Sequence, residues 1–600
     1  NLTNKNLNNM HHQNPYFVFI TDRSGRPFLS YKSGLLLGFL ILLCWAGSAQ
    51  VVQDSTDFST EVIQVVKSYA PEISDAFKMK QLPDFDEGPS ASEIKLTYAL
   101  LSVPVATDFV INLPNALPFK SVSGEKPFDY YARIWGGTKE SLGLDVYGKV
   151  VNTKDKLWSF GLQHQQVNGS LPGINLANDW SLSEFSSDLR LMNQDREVAI
   201  SVDLSQRKNM FYGWSQAALA SDGALDVDLA QAVTQGIVKA KIGPNGSWFD
   251  GGTTTISYLR DRFESTEFSV TATPQGHLLI GAKPLNIKAQ FNVLQTTYPE
   301  QAGNLVDTEY RIMNHDLEGD YAFEFNQFLL RVGAQAWYHH ANTDDAQLSI
   351  FPKLYLAYPI IKDVMRLEGT YGGAYEQQTY GILQNANNWV APHAVLRPTV
   401  HEQFLDVTLS GAWTKQIHYH VGARWDQIKD QPLWVRSDYA LGLDKEPYDF
   451  GNAFEVVYDQ VSALKLHYGF SADIDDQWQM GVRGSIVRYE MDRASEPWNL
   501  PQSTMAFDAH YRYSPKWSLS TQFLAYGPRK DRYMDLGDEV TTQVKGFVDL
   551  GATLRHQITR QWMANITVNN ALNQEYELWV QYPVQGFRVN LGLQYNFDLP

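Results

Sequence analysis

The stretch Phe587-Arg588-Val589-Asn590-Leu591-Gly592-Leu593-Gln594-Tyr595-Asn596-Phe597 decides the reading of this chain. Phe587, Val589, Leu591, Leu593, Tyr595 and Phe597 fall on one face, and Arg588, Asn590, Gly592, Gln594 and Asn596 on the other. A period of two is the signature of a strand whose faces meet different solvents. The run is also long, since soluble strands average about 5–6 residues.

The same alternation recurs upstream. Leu142, Leu144, Val146 and Val150 oppose Asp145, Tyr147 and Lys149. Val198, Ile200, Val202 and Leu204 oppose Glu197, Ser201, Asp203 and Ser205, and Tyr321, Phe323 and Phe325 oppose Asp320, Glu324 and Asn326. Leu405, Val407, Leu409 and Trp413 oppose Asp406, Thr408 and Ser410. Ile417, Tyr419, Val421, Ala423 and Trp425 oppose His418, His420, Arg424 and Asp426. No amphipathic helix interrupts the series. Hydrocarbon cannot satisfy backbone N–H and C=O groups, so a spanning sheet must close on itself without a free edge. The fold expected is all-β: a transmembrane antiparallel β-barrel over residues 128–597, with strands of about ten residues numbering roughly 20–22. Asn152–Asp155 and Ser514–Lys516 read as short turns, and Asn168–Trp180 and Ala217–Ala230 as outer loops.

Composition agrees. Aromatic residues make up 13% and charged residues only 19%, where a soluble protein carries nearer a quarter charged. Rings with a wet tip, Tyr and Trp, suit the membrane–water boundary. A mean hydropathy of −0.31 excludes a bundle of membrane helices but suits alternating faces. The net charge is −17, and the first 49 residues hold four bases against one acid, leaving about −20 for the rest. Nucleic acid is therefore excluded as a partner, because phosphate binding needs basic stripes.

Residues 1–49 read as a leader. Gly34–Ala49 is the one long apolar run, Arg23, Arg26 and Lys32 precede it, and Gly47-Ser48-Ala49 supplies a cleavage site before Gln50. The run is shorter than the ~20 residues of a spanning helix. Asn1 is not an initiating residue, and upstream read-through would account for the long segment before Lys32. The sole cysteine, Cys44, lies in this leader, so no disulfide or thiolate chemistry is expected beyond it. Residues 50–127 are polar, then punctuated by Pro104, Pro114, Pro118 and Pro127, and read as a periplasmic segment that could fill the lumen. Residues 598–600 form a tail.

Gly592, Tyr595 and Phe597 resemble the terminal signal read by outer-membrane barrel-assembly machinery. Upstream, Asn569-Asn570-Ala571-Leu572-Asn573-Gln574-Glu575-Tyr576 and Asp549–Leu554 resemble the turn and strand before the last strand of TonB-dependent receptors. Near the other end, Glu61, Val62, Ile63, Val65 and Val66 are similar to a TonB box, which pairs with TonB by strand addition; an ordinary strand-forming patch has the same composition. The resemblance implies an integral outer-membrane barrel of a Gram-negative bacterium that takes up a nutrient or complex solute. It departs from the family in one respect: the 35 residues Glu93–Pro127 are too few for the plug, so the barrel lacks a full plug domain. An unplugged barrel of this size would leak, and the N-terminal segment, inward-bent loops or a partner must block it. That departure leaves an alternative, a non-transporting scaffold in an assembly, secretion or surface-display complex. Expected partners are membrane lipid, the barrel-assembly machinery, TonB and other envelope proteins.

No catalytic, metal or cofactor site is expected, and the chain reads as no enzyme. His418 and His420 share the lumen face without a third ligand in sequence, and His339-His340 point to opposite faces. Asp473, Asp475 and Asp476 lack the remainder of a calcium loop, and Gly213-Trp214-Ser215-Gln216-Ala217 lacks the second glycine of a nucleophile elbow.

Overall fold

A computed structural model describes residues 128–599, apart from 170, 172, 194–195, 216–217, 221–226, 245–247, 300–307, 363, 441–444, 476 and 536–537. The leader, the Pro-punctuated segment and the TonB-box-like Glu61–Val66 lie outside the described residues.

Twenty-two strands form one closed antiparallel sheet, with neighbours following chain order. The first strand, Tyr130–Gly137, pairs along its whole length with Ser141–Asn152 on one side and with the last strand, Arg588–Phe597, on the other. The final strand therefore forms the seam, with Phe597 opposite Tyr130 and Gly592 opposite Trp135. Two small hairpins stand outside the wall, Arg529–Asp535 with Asp538–Val544 and Glu577–Trp579 with Tyr582–Pro583. Closure leaves no unpaired edge in the wall, which is the condition hydrocarbon imposes.

At one end the strands are joined by short turns. Gly281 and Asn326 begin two of them with φ of 67° and 52°, conformations that glycine and asparagine accept most readily. The other end carries the long connections, among them 211–229, 377–398, 437–453, 527–546 and 570–587. Several strands exceed the expected ten residues; Ile417–Arg436 and Phe454–Asp473 have 20 each. The surplus lies toward the long connections, where Leu433, Val435, Phe454 and Val456 are buried. A hydrocarbon crossing limits only part of each strand, so sequence alternation alone does not fix where a strand stops.

The wall keeps the two faces apart as the sequence alternates. Ile200, Leu204, Phe325, Leu405, Val407, Val421, Leu591 and Leu593 are exposed on the outside, and Ile350 reaches 68% exposure. A soluble monomer does not display an apolar belt of this extent. Near the short turns the outward residues become aromatic (Trp413, Tyr513, Trp517, Trp562), placing a girdle where lipid meets water.

The inward face is polar and largely paired. Arg133 reaches Asp145 at 2.7 Å, Arg424 reaches Asp426 at 2.7 Å, and His467 lies 3.4 Å from Asp406. The first pair joins neighbouring strands and the second lies along one strand, and each sets a guanidinium against a carboxylate of the inward face. Leu591→Arg is accordingly expected to destabilise the barrel by about 2–4 kcal/mol, as a lipid-facing cation does. Gln594→Arg, on the wet face of the same strand, should cost little. Urea unfolding in lipid vesicles measures both, and equal losses would contradict the facing.

Candidate functional site

The long connections fold inward and meet one another across the mouth. Connection 377–398 begins with the helix α1, Tyr380–Ala386, whose N-cap Thr379 accepts from the Ile382 amide at 3.1 Å. A seven-residue helix is too short to stand alone, so the wall must hold it. Glu267, on the strand Thr266–Ile280, does so: its carboxylate accepts from the Tyr380 amide (2.6 Å), the Gly381 amide (3.1 Å) and the Thr296 hydroxyl (3.0 Å). Backbone amides at a helix start favour a negative charge. Gly381 permits the approach, since a Cβ there would lie 3.2 Å from Glu267 Oε1 and 3.3 Å from Leu259 Cδ1.

Three further ties bind the same connection to the wall. Tyr380 Oη donates to Asp261 at 2.7 Å, Ser265 Oγ donates to the Pro392 carbonyl at 3.1 Å, and Trp389 Nε1 donates to the Met210 carbonyl at 2.9 Å. Arg207 spreads its guanidinium over Asn388 (2.7 Å) and Asn385 (2.9 Å). The segment leaves and rejoins the wall at Met365–Glu376 and Thr399–Thr414, yet it is held by strands between Arg196 and Ile280. It therefore crosses part of the lumen rather than standing above its own strands. Burial pushes the Tyr380 phenol well above its usual range, and the Asp261 charge adds to the effect.

Other connections complete the closure. Trp389 stacks on Tyr582 at 4.0 Å and Trp214 on Phe450 at 4.0 Å, and Tyr212 meets Tyr582 edge-on at 4.9 Å. Tyr212 Oη donates to the Pro583 carbonyl (2.9 Å), and Asn452 Nδ2 donates to the Phe211 carbonyl (2.7 Å). Arg436, buried at its strand end, donates to the carbonyls of Gly213 (3.0 Å) and Gly451 and to Gln581 Oε1. One guanidinium thus joins connections 211–229, 437–453 and 570–587. Gly213 is needed here, because a Cβ would stand 2.4 Å from the Tyr582 ring. The Gly213-Trp214-Ser215 stretch is therefore a packing element of this knot. A single apolar cluster, including Phe211, Trp214, Tyr380, Trp389, Phe450, Phe454 and Tyr582, packs these connections against one another and against the strand ends.

Asp531, wholly buried in the outer hairpin, accepts from the backbone amides of Arg532 (2.7 Å) and Arg436 (3.3 Å). The Arg436 guanidinium is spent on the three connections. Burial therefore dominates, and the Asp531 carboxyl is pushed up to about 6, against the opposing hydrogen bonds from Asn499, Arg532 and Arg436. An acid whose folded value lies above its unfolded value binds its proton more tightly when folded. Its contribution is most favourable below about pH 4, declines as pH rises to about 6, and is flat above. Asp531→Asn should remove this slope, matching the wild type at pH 4 and exceeding it by about 2–3 kcal/mol at pH 8. Denaturant unfolding of the outer segments at the two pH values checks the difference, and an unchanged slope would contradict it.

The residues singled out in the sequence are distributed rather than gathered. His418 and His420 face inward, with His420 6.0 Å from the His467 ring, and among the described residues no group of three or more metal-ligating side chains assembles. His339 is buried and bonds Asn314 at 2.7 Å. Asp475 caps a turn by accepting from the Gln477 and Trp478 amides. Gly592, Tyr595 and Phe597 lie in the seam strand. Glu267, Arg207 and Arg436, which hold the closure, were not singled out by sequence.

No family model matches the chain, and no curated protein does. Solved structures do. The chain is similar to the FrpB iron transporter from Neisseria meningitidis (F3-3 variant), with a TM-score of 0.57 and 11% identity over 78% of this chain and 81% of that one. It is similar to the siderophore receptor PiuA from Acinetobacter baumannii, with a TM-score of 0.55 and 10% identity over 79% and 82%. It is also similar to the ferric-catecholate import receptor Fiu from K12 E. coli, with a TM-score of 0.55 and 8% identity over 79% and 82%. At these identities the likeness is one of fold: this barrel and theirs share an architecture.

Proposed function

We propose that this chain is an outer-membrane, TonB-dependent-receptor-like barrel of a Gram-negative bacterium that takes up a nutrient or complex solute, without catalysis of its own. The observation that carries the reading is a 22-strand closed wall whose long connections pack together over its outer mouth. A closed mouth suits a selective uptake barrel better than a passive pore, which needs an open path. The neighbours are an iron transporter and receptors for siderophores and ferric catecholates, so iron-bearing chelates are the solutes to test first. Glu61–Val66 would supply the TonB contact by strand addition, and Gly592, Tyr595 and Phe597 the assembly signal.

The test is growth of a strain lacking the protein, complemented with wild type or Val65→Pro, under limitation for iron and for other nutrients in turn. The reading expects one limited nutrient to reveal a defect that wild type repairs and Val65→Pro does not, with TonB recovered on wild type alone. Normal growth under every limitation, with stable recovery of other envelope proteins, would replace it with the scaffold reading.

A further inference from the structure

Beside the end of α1, where Ala386 contributes to its lining, a cavity of about 170 Å³ lies between connection 570–587, Arg529 and the inward face of the wall. It is built by the asparagine-rich turn noted in the sequence. Asn570 Nδ2 donates to the Gln574 carbonyl at 2.8 Å, Asn570 Oδ1 accepts from the Gln574 amide at 3.0 Å, and the Gln574 side chain accepts from the Val548 amide at 2.8 Å. The turn thereby lays Tyr576 flat on Phe547 (4.1 Å, 6°), and Tyr526 continues the same ladder beyond Phe547 (5.1 Å, 14°). Tyr576 Oη donates to Asp549 at 2.6 Å, so this carboxylate in the cavity wall is already engaged.

Arg529 closes the other side. It is 91% buried by its 9% exposure, and its guanidinium stands over the Trp579 ring at 5.6 Å. One of its terminal nitrogens donates to the Leu578 carbonyl, but Nε has no hydrogen-bond partner among the described residues. Nε is sealed from solvent, so it is the part of the guanidinium lining the cavity that can meet an anionic oxygen, as a charge-assisted hydrogen bond. Arg588 adds a second guanidinium to the lining. Flat rings on one side and a fixed planar cation on the other define a narrow class of ligand.

We propose that this cavity binds a flat aromatic carboxylate, its ring against the Tyr526–Phe547–Tyr576 ladder and its carboxylate on Arg529. Arginine suits the role because its planar fork matches a carboxylate and stacks on an aromatic face at once. The binding is independent of the uptake reading, since it requires no transport and no TonB.

The experiment uses the full chain in detergent micelles, with benzoate as the probe and titration calorimetry as the readout. Cyclohexanecarboxylate keeps the charge without the flat ring, and benzylamine keeps the ring with the opposite charge. Benzoate should bind, cyclohexanecarboxylate about tenfold more weakly or worse, and benzylamine not measurably. Arg529→Gln should weaken benzoate by about tenfold or more, with partial recovery in Arg529→Lys. Barrel integrity is followed by heat-modifiable gel mobility, and the ligand comparison on wild type decides the matter if the variants fail to fold. Absence of benzoate binding to an intact barrel, equal binding of cyclohexanecarboxylate, or unchanged affinity in a folded Arg529→Gln would each overturn the assignment.

Discussion

Arg436→Ala is expected to open the mouth while leaving the wall standing. Among the described residues, the guanidinium is the one donor group that joins the carbonyls of Gly213 and Gly451 to the Gln581 side chain. Removing it strands buried acceptors, each costing about 1–3 kcal/mol, in a region with little access for replacement water. The closure as a whole should lose about 3–5 kcal/mol, the usual cost of deleting one partner of a buried charged network. The wall depends on its own ladder bonds and should persist. Limited proteolysis should then cut within 211–229 and 437–453 in the variant and not in the wild type, while heat-modifiable mobility stays the same. Arg436→Lys should fall between, because one ammonium cannot span three acceptors set for a fork. Identical proteolysis of wild type and Arg436→Ala would remove Arg436 from the account.

Glu267→Ala should release connection 377–398 in particular. The carboxylate is the acceptor for both first amides of α1 and for Thr296, and none of these donors has another acceptor among the described residues. α1 keeps its Thr379 cap and the Tyr380–Asp261 tie, but a short helix that loses the charge satisfying its first two amides has little stability of its own. The expected loss is about 3 kcal/mol, which corresponds to roughly a hundredfold faster amide exchange over residues 380–386. Glu267→Gln retains one good acceptor oxygen and should lose less. The two substitutions act at opposite ends of one closure, Glu267 at the wall and Arg436 at the knot, so their combined effect should exceed either alone.

The wall was legible because its physics is local. Alternation such as Val198 to Leu204 or Leu591 to Phe597 records which side each residue faces, and a closed sheet in hydrocarbon follows from backbone chemistry alone. Strand number was legible through residue count, and the observed 22 lies at the top of the range of 20–22 read from it. The closure was not legible. Arg436 meets Gly213 across 223 positions in sequence and Gln581 across 145, and no periodic signal marks such a partner. Glu267 reads locally as one more polar residue on an alternating strand; only α1, folded back upon it, gives it a task. Thr379 ahead of a short non-alternating run was the available hint of a helix. Inward-bent loops were among the blocks the sequence demanded, and connection 377–398 is one.

Labelling of a single cysteine beneath the closure tests this claim most directly. Lys288 lies on the inward face of the strand Lys283–Tyr298, below the buried Asn292, Leu294, Thr296 and Tyr298, and is exposed. In intact cells, a membrane-impermeant maleimide should leave Lys288→Cys unlabelled in the wild-type background and react with it once Arg436→Ala and Glu267→Ala are added. Leu219→Cys, exposed on an outer connection, should react in both. Equal labelling of Lys288→Cys with and without the two releasing substitutions would show that these connections do not shut the mouth.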